Sequence, residues 1–269
     1  MSAPIGVFDS GMGGLTVMRA LMARLPRESF VYLGDTARLP YGTKSADTVR
    51  RYALQASAAL VARGVKMIVV ACNTASVSLP ALKAALDPLP VIGVIEPGAR
   101  AALAAAPNGP IAIIATEGTV KGGVYRSAIR ALGSNVPIAQ QACPLFVPMT
   151  EEGLIDGPIV EAVVHRYLDP LLATFPKPKC LLLGCTHYPM LKAVIARIAG
   201  GDIVLVDSAV TTADAVATLL KECDLEDKAG PHSVRFLATD APDRFARVGE
   251  TFLGQPIDPG LVELIDLQG

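Results

Sequence analysis

Short apolar runs alternate along the chain with longer stretches of helical spacing. The runs predict seven strands: Ile5–Phe8, Phe30–Leu33, Met67–Ala71, Val91–Val94, Ile111–Ala115, Leu181–Gly184 and Ile203–Val206. Helical spacing is clearest over Thr48–Arg63 and Ile159–Phe175. Continuous apolar strands joined by helices are typical of parallel βαβ units, whose sheets are buried on both faces. The pattern therefore predicts a doubly wound α/β fold, with its site beyond the carboxyl ends of the strands.

Two pairs of segments repeat the same pattern in the same order. Met67–Thr74 and Cys180–His187 each consist of an apolar run, a small residue, a cysteine and then polar side chains. Ile5–Gly11 and Ile111–Gly118 likewise both run from an apolar strand signal into a polar, glycine-ended turn. The repetition predicts two pseudo-symmetric halves that face each other across a cleft.

We expect two interleaved domains. The first comprises residues 1–95 plus 208–269 and the second residues 96–207, with crossings at Ile95–Gly98 and near Val206–Ser208. Segments 40–47 and 148–158 are rich in Pro, Gly and polar residues, which predicts loops that overhang the cleft. The tail from Gly254 is expected to complete the first domain with a short strand or helix.

Composition narrows the class of protein. Hydrophobic residues make up 51% of the 269 positions and charged residues 18%, against about 25% charged in ordinary globular chains. This excludes a disordered chain, and the net charge of −1 argues against a nucleic-acid or anionic membrane partner. Apolar runs such as Met67–Cys72 are far shorter than the ~20 residues of a spanning helix. Because the start shows no signal-peptide pattern, we expect a cytoplasmic protein.

The glycine-rich segment Asp9–Gly14 follows the first predicted strand and invites a nucleotide-binding interpretation. A P-loop would need Lys and Ser or Thr where Met12 and Gly13 stand, and the dinucleotide pattern fails at Thr16. Both mismatches fall on residues that carry the mechanism, so we reject both motifs. What remains is a turn that exposes backbone amides, with Asp9 and Ser10 at its mouth; a simple capped turn is the alternative.

The chain has five cysteines, at positions 72, 143, 180, 185 and 223. An odd number without C-x-x-C spacing argues against disulfides, a zinc ribbon and a thioredoxin-type redox pair. Cys180, Cys185 and His187 do not form a metal site either, because Cys180 begins a buried run and no fourth ligand has a usual spacing. We therefore predict no metal.

Two cysteines stand where a predicted strand ends. Cys72 is followed by Asn73 and Thr74, and Cys185 is followed by Thr186 and His187. Helix amides or a neighbouring imidazole can activate a thiol in such a position. The alternative is that each is a small buried core residue, with His187 hydrogen-bonded to the backbone.

If the halves face each other, Cys72 and Cys185 approach one small substrate from opposite sides. A thiolate and a thiol on opposite faces of a carbon can remove one proton and return another with inversion of configuration. Such a pair suits a reversible reaction, because the acid of one direction is the base of the other. Neither cysteine motif contains the Lys that a pyridoxal enzyme needs.

Four motifs resemble the cofactor-independent glutamate racemase family, within the aspartate/glutamate racemase superfamily. They are Gly6–Val17, Tyr32–Gly42, Val70–Ser76 and Leu183–Pro189, which agree with the family in order and approximate spacing. The resemblance covers about residues 5 to 210.

The resemblance implies two α/β domains with the active site between them, no cofactor, and Cys72 and Cys185 as the acid/base residues. Cys72 would handle the α-proton of the D isomer and Cys185 that of the L isomer, with Asp9, His187 and Glu151 assisting. The positions matching the family's substrate contacts are Asp9, Ser10, Pro40, Tyr41, Gly42, Cys72, Asn73, Thr74, Thr116, Thr119, Cys185, Thr186 and His187.

The implied function is interconversion of L- and D-glutamate, which supplies D-glutamate for peptidoglycan synthesis, by a homodimer. An aspartate racemase is the nearest alternative, since a pocket discriminates one methylene by only ~1–3 kcal/mol. An amino-acid-binding protein that uses the same cleft without turnover is the alternative from another class. Binding alone does not need a second strand-end cysteine, which disfavours it.

Overall fold

The computed structural model describes residues 3–173, 177–227 and 233–267. The strands are β1 Ile5–Asp9, β2 Phe30–Gly34, β3 Met67–Val70, β4 Val91–Gly93, β5 Ile111–Ala115, β6 Ile138–Ala142, β7 Cys180–Gly184, β8 Val204–Asp207, β9 Val234–Ala238 and β10 Val262–Leu264. The helices are α1 Leu15–Arg24, α2 Ala46–Val61, α3 Leu79–Leu86, α4 Ile95–Ala105, α5 Glu117–Gly122, α6 Val124–Ala131, α7 Phe146–Glu151, α8 Pro158–Ala173, α9 Lys192–Ala199, α10 Ser208–Glu222 and α11 Pro242–Leu253.

The seven predicted strands are all present, with ends that agree to within one residue. The two predicted helices are α2 and α8; Ser45 caps α2 by accepting from the backbone amide of Thr48. The last predicted residue of α8, Phe175, lies outside the described residues. Three strands, β6, β9 and β10, were not predicted, although a short strand was one of the two expectations for the C-terminal tail.

The strands form two parallel sheets. The first has the order β10-β9-β2-β1-β3-β4 and the second β6-β5-β7-β8. Every strand pairing in them is parallel, with Ile5 beside Phe30 and Met67, and Ile111 beside Ile138 and Cys180. The order β2-β1-β3-β4 is thus repeated as β6-β5-β7-β8, which confirms the predicted α/β fold with two related parallel sheets.

The two sheets share one hydrophobic core. A single cluster of buried side chains contains Ile5 from β1 and Ile111 from β5, together with Leu21 of α1, Ala99 of α4 and Val216 of α10. Two further clusters cover the opposite faces of the first and second sheet. Helices therefore bury both faces of each sheet, as the continuous apolar strands predicted.

The chain crosses between the sheets in helices. Ile95, at the first expected domain crossing, begins α4, which packs against β7 and β8 of the second sheet and against α6. After β8 the chain enters α10, which packs on both α1 and α4. The strands of the first sheet come from residues 5–93 and 234–264, and those of the second from 111–207. The exact domain division stays a prediction.

The expected loop over 148–158 is wrong in its first part. Residues 148–151 belong to α7, in which Pro148 occupies the first turn, where the missing backbone N–H costs nothing. The 40–47 segment contains a 3₁₀ turn over Tyr41–Thr43 and the start of α2. Among the described residues, no helix is both long and apolar enough to span a membrane.

Candidate active site

Cys72 and Cys185 occupy equivalent places after β3 and β7, and both are almost fully buried. The backbone amide of Ala75 donates to Cys72 Sγ at 3.4 Å, and Ser10 Oγ lies 3.6 Å from the same sulfur. Burial, followed by the charge of Asp9, raises the pKa of Cys72 to about 12, although these two contacts favour the thiolate. Its surroundings therefore favour the protonated form of Cys72.

Cys185 lies at the end of a chain of polar side chains. Its Sγ is 3.9 Å from Nδ1 of His187, whose Nε2 lies 3.1 Å from Oε1 of Glu151. Burial opposes the imidazolium, but the contacts with Cys185 and Glu151 outweigh it and raise the pKa of His187 to about 10. These contacts favour the imidazolium form of His187, which in turn can stabilise the neighbouring Cys185 as a thiolate.

Asp9 is completely buried at the end of β1. Its Oδ2 accepts from the Gly11 amide at 2.9 Å and the nearby Gly14 amide also favours the carboxylate, whereas Oδ1 has no hydrogen-bond partner of ordinary geometry among the described residues. Burial raises the pKa of Asp9, and the positive charge of His187 opposes that shift. An unpaired buried carboxylate oxygen is costly, which indicates that a ligand group completes it.

The turn after β1 packs directly against the second cysteine motif. A Cβ added at Gly13 would lie 2.3 Å from the His187 ring, and Thr16 Oγ1 donates to the carbonyl of Thr186 at 3.0 Å. The charge of Cys185 also raises the pKa of Cys72. Because Ser10 of the same turn lies 3.6 Å from Cys72 Sγ, the turn after β1 contacts both cysteine motifs.

Three threonines form a hydroxyl cluster across the two sheets. Thr74 Oγ1 lies 2.9 Å from Thr116 Oγ1 and 3.4 Å from Thr119 Oγ1, and the last two are 3.0 Å apart. Gly42 closes the cluster, since a Cβ there would lie 2.9 Å from Cβ of Thr116. Three buried hydroxyls that satisfy one another can reorient towards a carboxylate.

Asn73 has one satisfied and one unsatisfied side-chain atom. Its Nδ2 donates to the hydroxyl of Tyr125 at 2.7 Å, while its buried Oδ1 has no partner in the described part of the chain. The Tyr125 hydroxyl is also hydrogen-bonded to Ser208 at the start of α10. Asn73 is therefore held with a free acceptor beside Cys72.

The Pro40-Tyr41-Gly42 segment contributes unequally. Pro40 is exposed and lies outside the buried cluster. Tyr41 is fully buried and donates its hydroxyl hydrogen bond to Asp35. Arg38 binds the same carboxylate at 2.7 Å. The buried carboxylate of Asp35 thus fixes the position of this segment through Tyr41 and Arg38.

Several residues near the site were not predicted from sequence. Tyr32 donates to the Gly11 carbonyl at 2.9 Å, and Arg244 lies 3.4 Å from Glu151. Tyr32 and Asp35 lie within the family motif Tyr32–Gly42, whereas Tyr125 and Arg244 lie outside all four motifs. Glu151, rather than Glu152, contacts His187.

Metal ligation receives no support from the described residues. Among them, no group of three or more His, Cys, Asp and Glu side chains could hold a metal ion.

Several known proteins are similar to this chain in sequence and in fold. Residues 5–216 match the Asp/Glu/Hydantoin racemase family. The glutamate racemase of Syntrophus aciditrophicus (strain SB) is 46% identical over 265 residues, which cover 98% of this chain and 97% of the relative. That of Geobacter metallireducens is also 46% identical, over 93% of this chain and 92% of its own. The crystal structure of glutamate racemase from Francisella tularensis in complex with D-glutamate has a TM-score of 0.91 and 38% identity, covering 99% of this chain and 98% of that one.

The chain therefore belongs to the Asp/Glu/Hydantoin racemase family and is a racemase, which is an isomerase. Within that family its similarity is to the glutamate racemases, over nearly its full length. The resemblance that the four motifs predicted is confirmed.

Proposed function

We propose that this racemase interconverts L- and D-glutamate by a two-base mechanism in which Cys72 and Cys185 act on opposite faces of the α-carbon. The observation that carries the proposal is the equivalent placement of the two buried cysteines after β3 and β7, with the turn after β1 in contact with both cysteine motifs. A binding protein would need neither two strand-end thiols nor the polar chain behind Cys185.

In the L-to-D direction, the Cys185 thiolate takes the α-proton and the Cys72 thiol returns its own proton to the opposite face. The electron pair of the broken C–H bond passes into the adjacent carboxylate and returns to the carbon when Cys72 protonates it. The pKa of about 12 supports Cys72 as the proton donor of the resting protein. In the D-to-L direction the two cysteines exchange roles.

The placement of His187 supports this assignment, because an imidazolium at this position can donate from Nδ1 towards Cys185 and stabilise it as a thiolate before the reaction. Glu151 in turn stabilises the imidazolium. On the Cys72 side of the site, the negative charge of Asp9 can offset the positive charge of the substrate's ammonium group. Asp9 does not accept the α-proton itself.

The substrate's ammonium group fits two orphaned acceptors. Asp9 Oδ1 and Asn73 Oδ1 are buried without partners among the described residues, and an ammonium supplies three donors. The hydroxyls of Thr74, Thr116 and Thr119 fit a carboxylate. Ser10, which lies beside Cys72 Sγ, and Thr186, whose hydroxyl lies 3.4 Å from His187 Nδ1, are proposed to contact the α-carboxylate, where backbone amides can also stabilise the developing negative charge.

Glutamate is preferred over aspartate because the relatives that match nearly the full length of this chain at 46% identity are glutamate racemases. The proposed reaction needs no cofactor, since the carboxylate alone receives the electron pair. We further propose that the D-glutamate supplies peptidoglycan synthesis, and that the protein acts in the cytoplasm as a homodimer. Sedimentation at several protein concentrations tests the last point.

The function is tested by incubating L-glutamate or L-aspartate with the protein and following optical rotation. We expect rotation to decay to zero with L-glutamate and far more slowly with L-aspartate. Cys72→Ser and Cys185→Ser should each abolish the decay, whereas Cys223→Ser, at an exposed cysteine, should keep it. No decay with either amino acid, or full activity of Cys185→Ser, contradicts the proposal.

A further inference from the structure

Arg244 connects the two halves of the protein at the active site. It lies on α11, which follows β9 of the first sheet, whereas Glu151 ends α7, between β6 and β7 of the second sheet. The Arg244 Nη2 is 3.4 Å from Oε2 of Glu151 and 3.7 Å from Oε1 of Glu152. The guanidinium therefore spans the two halves of the chain's fold.

Glu151 divides its two oxygens between two cations. Oε2 faces Arg244, and Oε1 faces Nε2 of His187 at 3.1 Å. The side chains of Glu151 and His187 are 8% and 6% exposed, whereas that of Arg244 is 37% exposed. The series Arg244–Glu151–His187–Cys185 thus runs from the partly exposed rim to a buried sulfur, with alternating charge when Cys185 is a thiolate.

We propose that Arg244 is a positioning residue for racemisation, which fixes the carboxylate of Glu151 so that Glu151 holds His187 against Cys185. The inference rests on the proposed roles of Cys185 and His187. Arg244 lies on α11, in the C-terminal part of the chain, and belongs to neither cysteine motif.

The physical reason is that a buried carboxylate with one bound oxygen can rotate away from its partner. Arg244 occupies the second oxygen and leaves one orientation of the group, in which Oε1 points at the imidazole. Burial alone favours the neutral form of Glu151, but the contacts and charges of His187 and Arg244 outweigh burial and lower its pKa.

Charged residues from several elements surround Glu151 and His187. Asp9 on β1 interacts electrostatically with His187 and with Glu151. Glu152 follows α7 and faces Arg244, and Asp240, just before α11, lines the same cavity of about 250 Å³ as Arg244. Because these neighbours are all acidic, removal of Arg244 leaves the Glu151 carboxylate among negative charges, with His187 as its cationic partner.

The test compares Arg244→Ala, Arg244→Lys and, as a matched control, Arg247→Ala at an exposed position of the same helix. The readout is kcat/KM for L-glutamate as a function of pH. For Arg244→Ala we expect a loss of about fivefold at neutral pH and an acid limb about half a pH unit higher, which is the scale of a partly exposed ion pair. The limb moves upward because loss of a positive charge makes Glu151 easier to protonate.

Arg244→Lys should restore the acid limb, since it retains the positive charge, and Arg247→Ala should behave like the wild type. An Arg244→Ala protein with unchanged kcat/KM, or with reduced kcat/KM and an unmoved acid limb, overturns the proposal; the second result indicates a merely structural contact. If the wild-type protein itself does not racemise glutamate, the proposed function has failed instead.

Discussion

Gly13 and the imidazole of His187 are in such close contact that a Cβ at position 13 would lie 2.3 Å from both Cε1 and Nδ1 of the ring. Nδ1 is the atom that faces Cys185 Sγ. The turn after β1 and the turn after β7 are therefore fitted to each other. Glycine is needed at position 13 for this close approach, and not for the phosphate binding that the glycine-rich segment invites.

Gly13→Ala tests this contact. The new methyl group displaces the His187 ring and with it the imidazole–sulfur distance. We expect kcat to fall about 100-fold, the typical cost of a displacement near 1 Å in a catalytic group. Gly201→Ala, where a Cβ meets nothing within 4 Å, is the matched control. Optical-rotation assays at saturating L-glutamate measure kcat, and wild-type kcat in Gly13→Ala contradicts the account.

Glu151→Gln tests the origin of the His187 charge. The pKa of His187 is raised from 6.5 to about 10, so its stabilising effect is fully present below pH 6.5 and is lost as pH rises towards 10. The wild-type melting temperature should therefore fall over that range. The amide removes one cause of the raised pKa, so Glu151→Gln should show a smaller fall and reduced kcat. Equal slopes in the two proteins count against this explanation.

Tyr125→Phe tests how Asn73 is held. The change removes the hydroxyl that accepts from Asn73 Nδ2 at 2.7 Å, so the amide gains freedom to rotate and its Oδ1 no longer has one orientation. We expect KM for glutamate to rise about tenfold, the scale of one hydrogen bond, with a smaller change in kcat. Tyr167→Phe, in the core against Phe146, should keep the wild-type KM. An unchanged KM in Tyr125→Phe would contradict the role of this hydrogen bond in orienting Asn73 for substrate binding.

The sequence predicted most of the fold because central parallel strands are buried on both faces. Strand β6 was missed because its Gln140 and Gln141 interrupt the apolar run at a partly exposed sheet edge. Strand β9 was missed because Arg235 is exposed within it. Both have a pattern that resembles a loop when no partner strand is known.

The candidate site was predictable only where residues follow a strand. Cys72 and Cys185 stand out because a polar residue directly after a buried strand lies at the carboxyl edge of the sheet. Tyr125 and Arg244 gave no such signal, since each reaches its partner from a helix distant in sequence. The pairing of charge between α7 and α11 depends on how the halves pack, and no local pattern encodes that packing.

The central claim, that two cysteines work from opposite faces, is tested most directly by the isotope at the α-carbon after one turnover. L-Glutamate with ordinary hydrogen is incubated with the protein in heavy water, and both isomers are separated early in the reaction and analysed by NMR. We predict that the D-glutamate carries deuterium at the α-carbon while the remaining L-glutamate is still protiated, because one thiol takes the proton and the other supplies deuterium. D-Glutamate that retains the original α-proton would contradict the two-base mechanism.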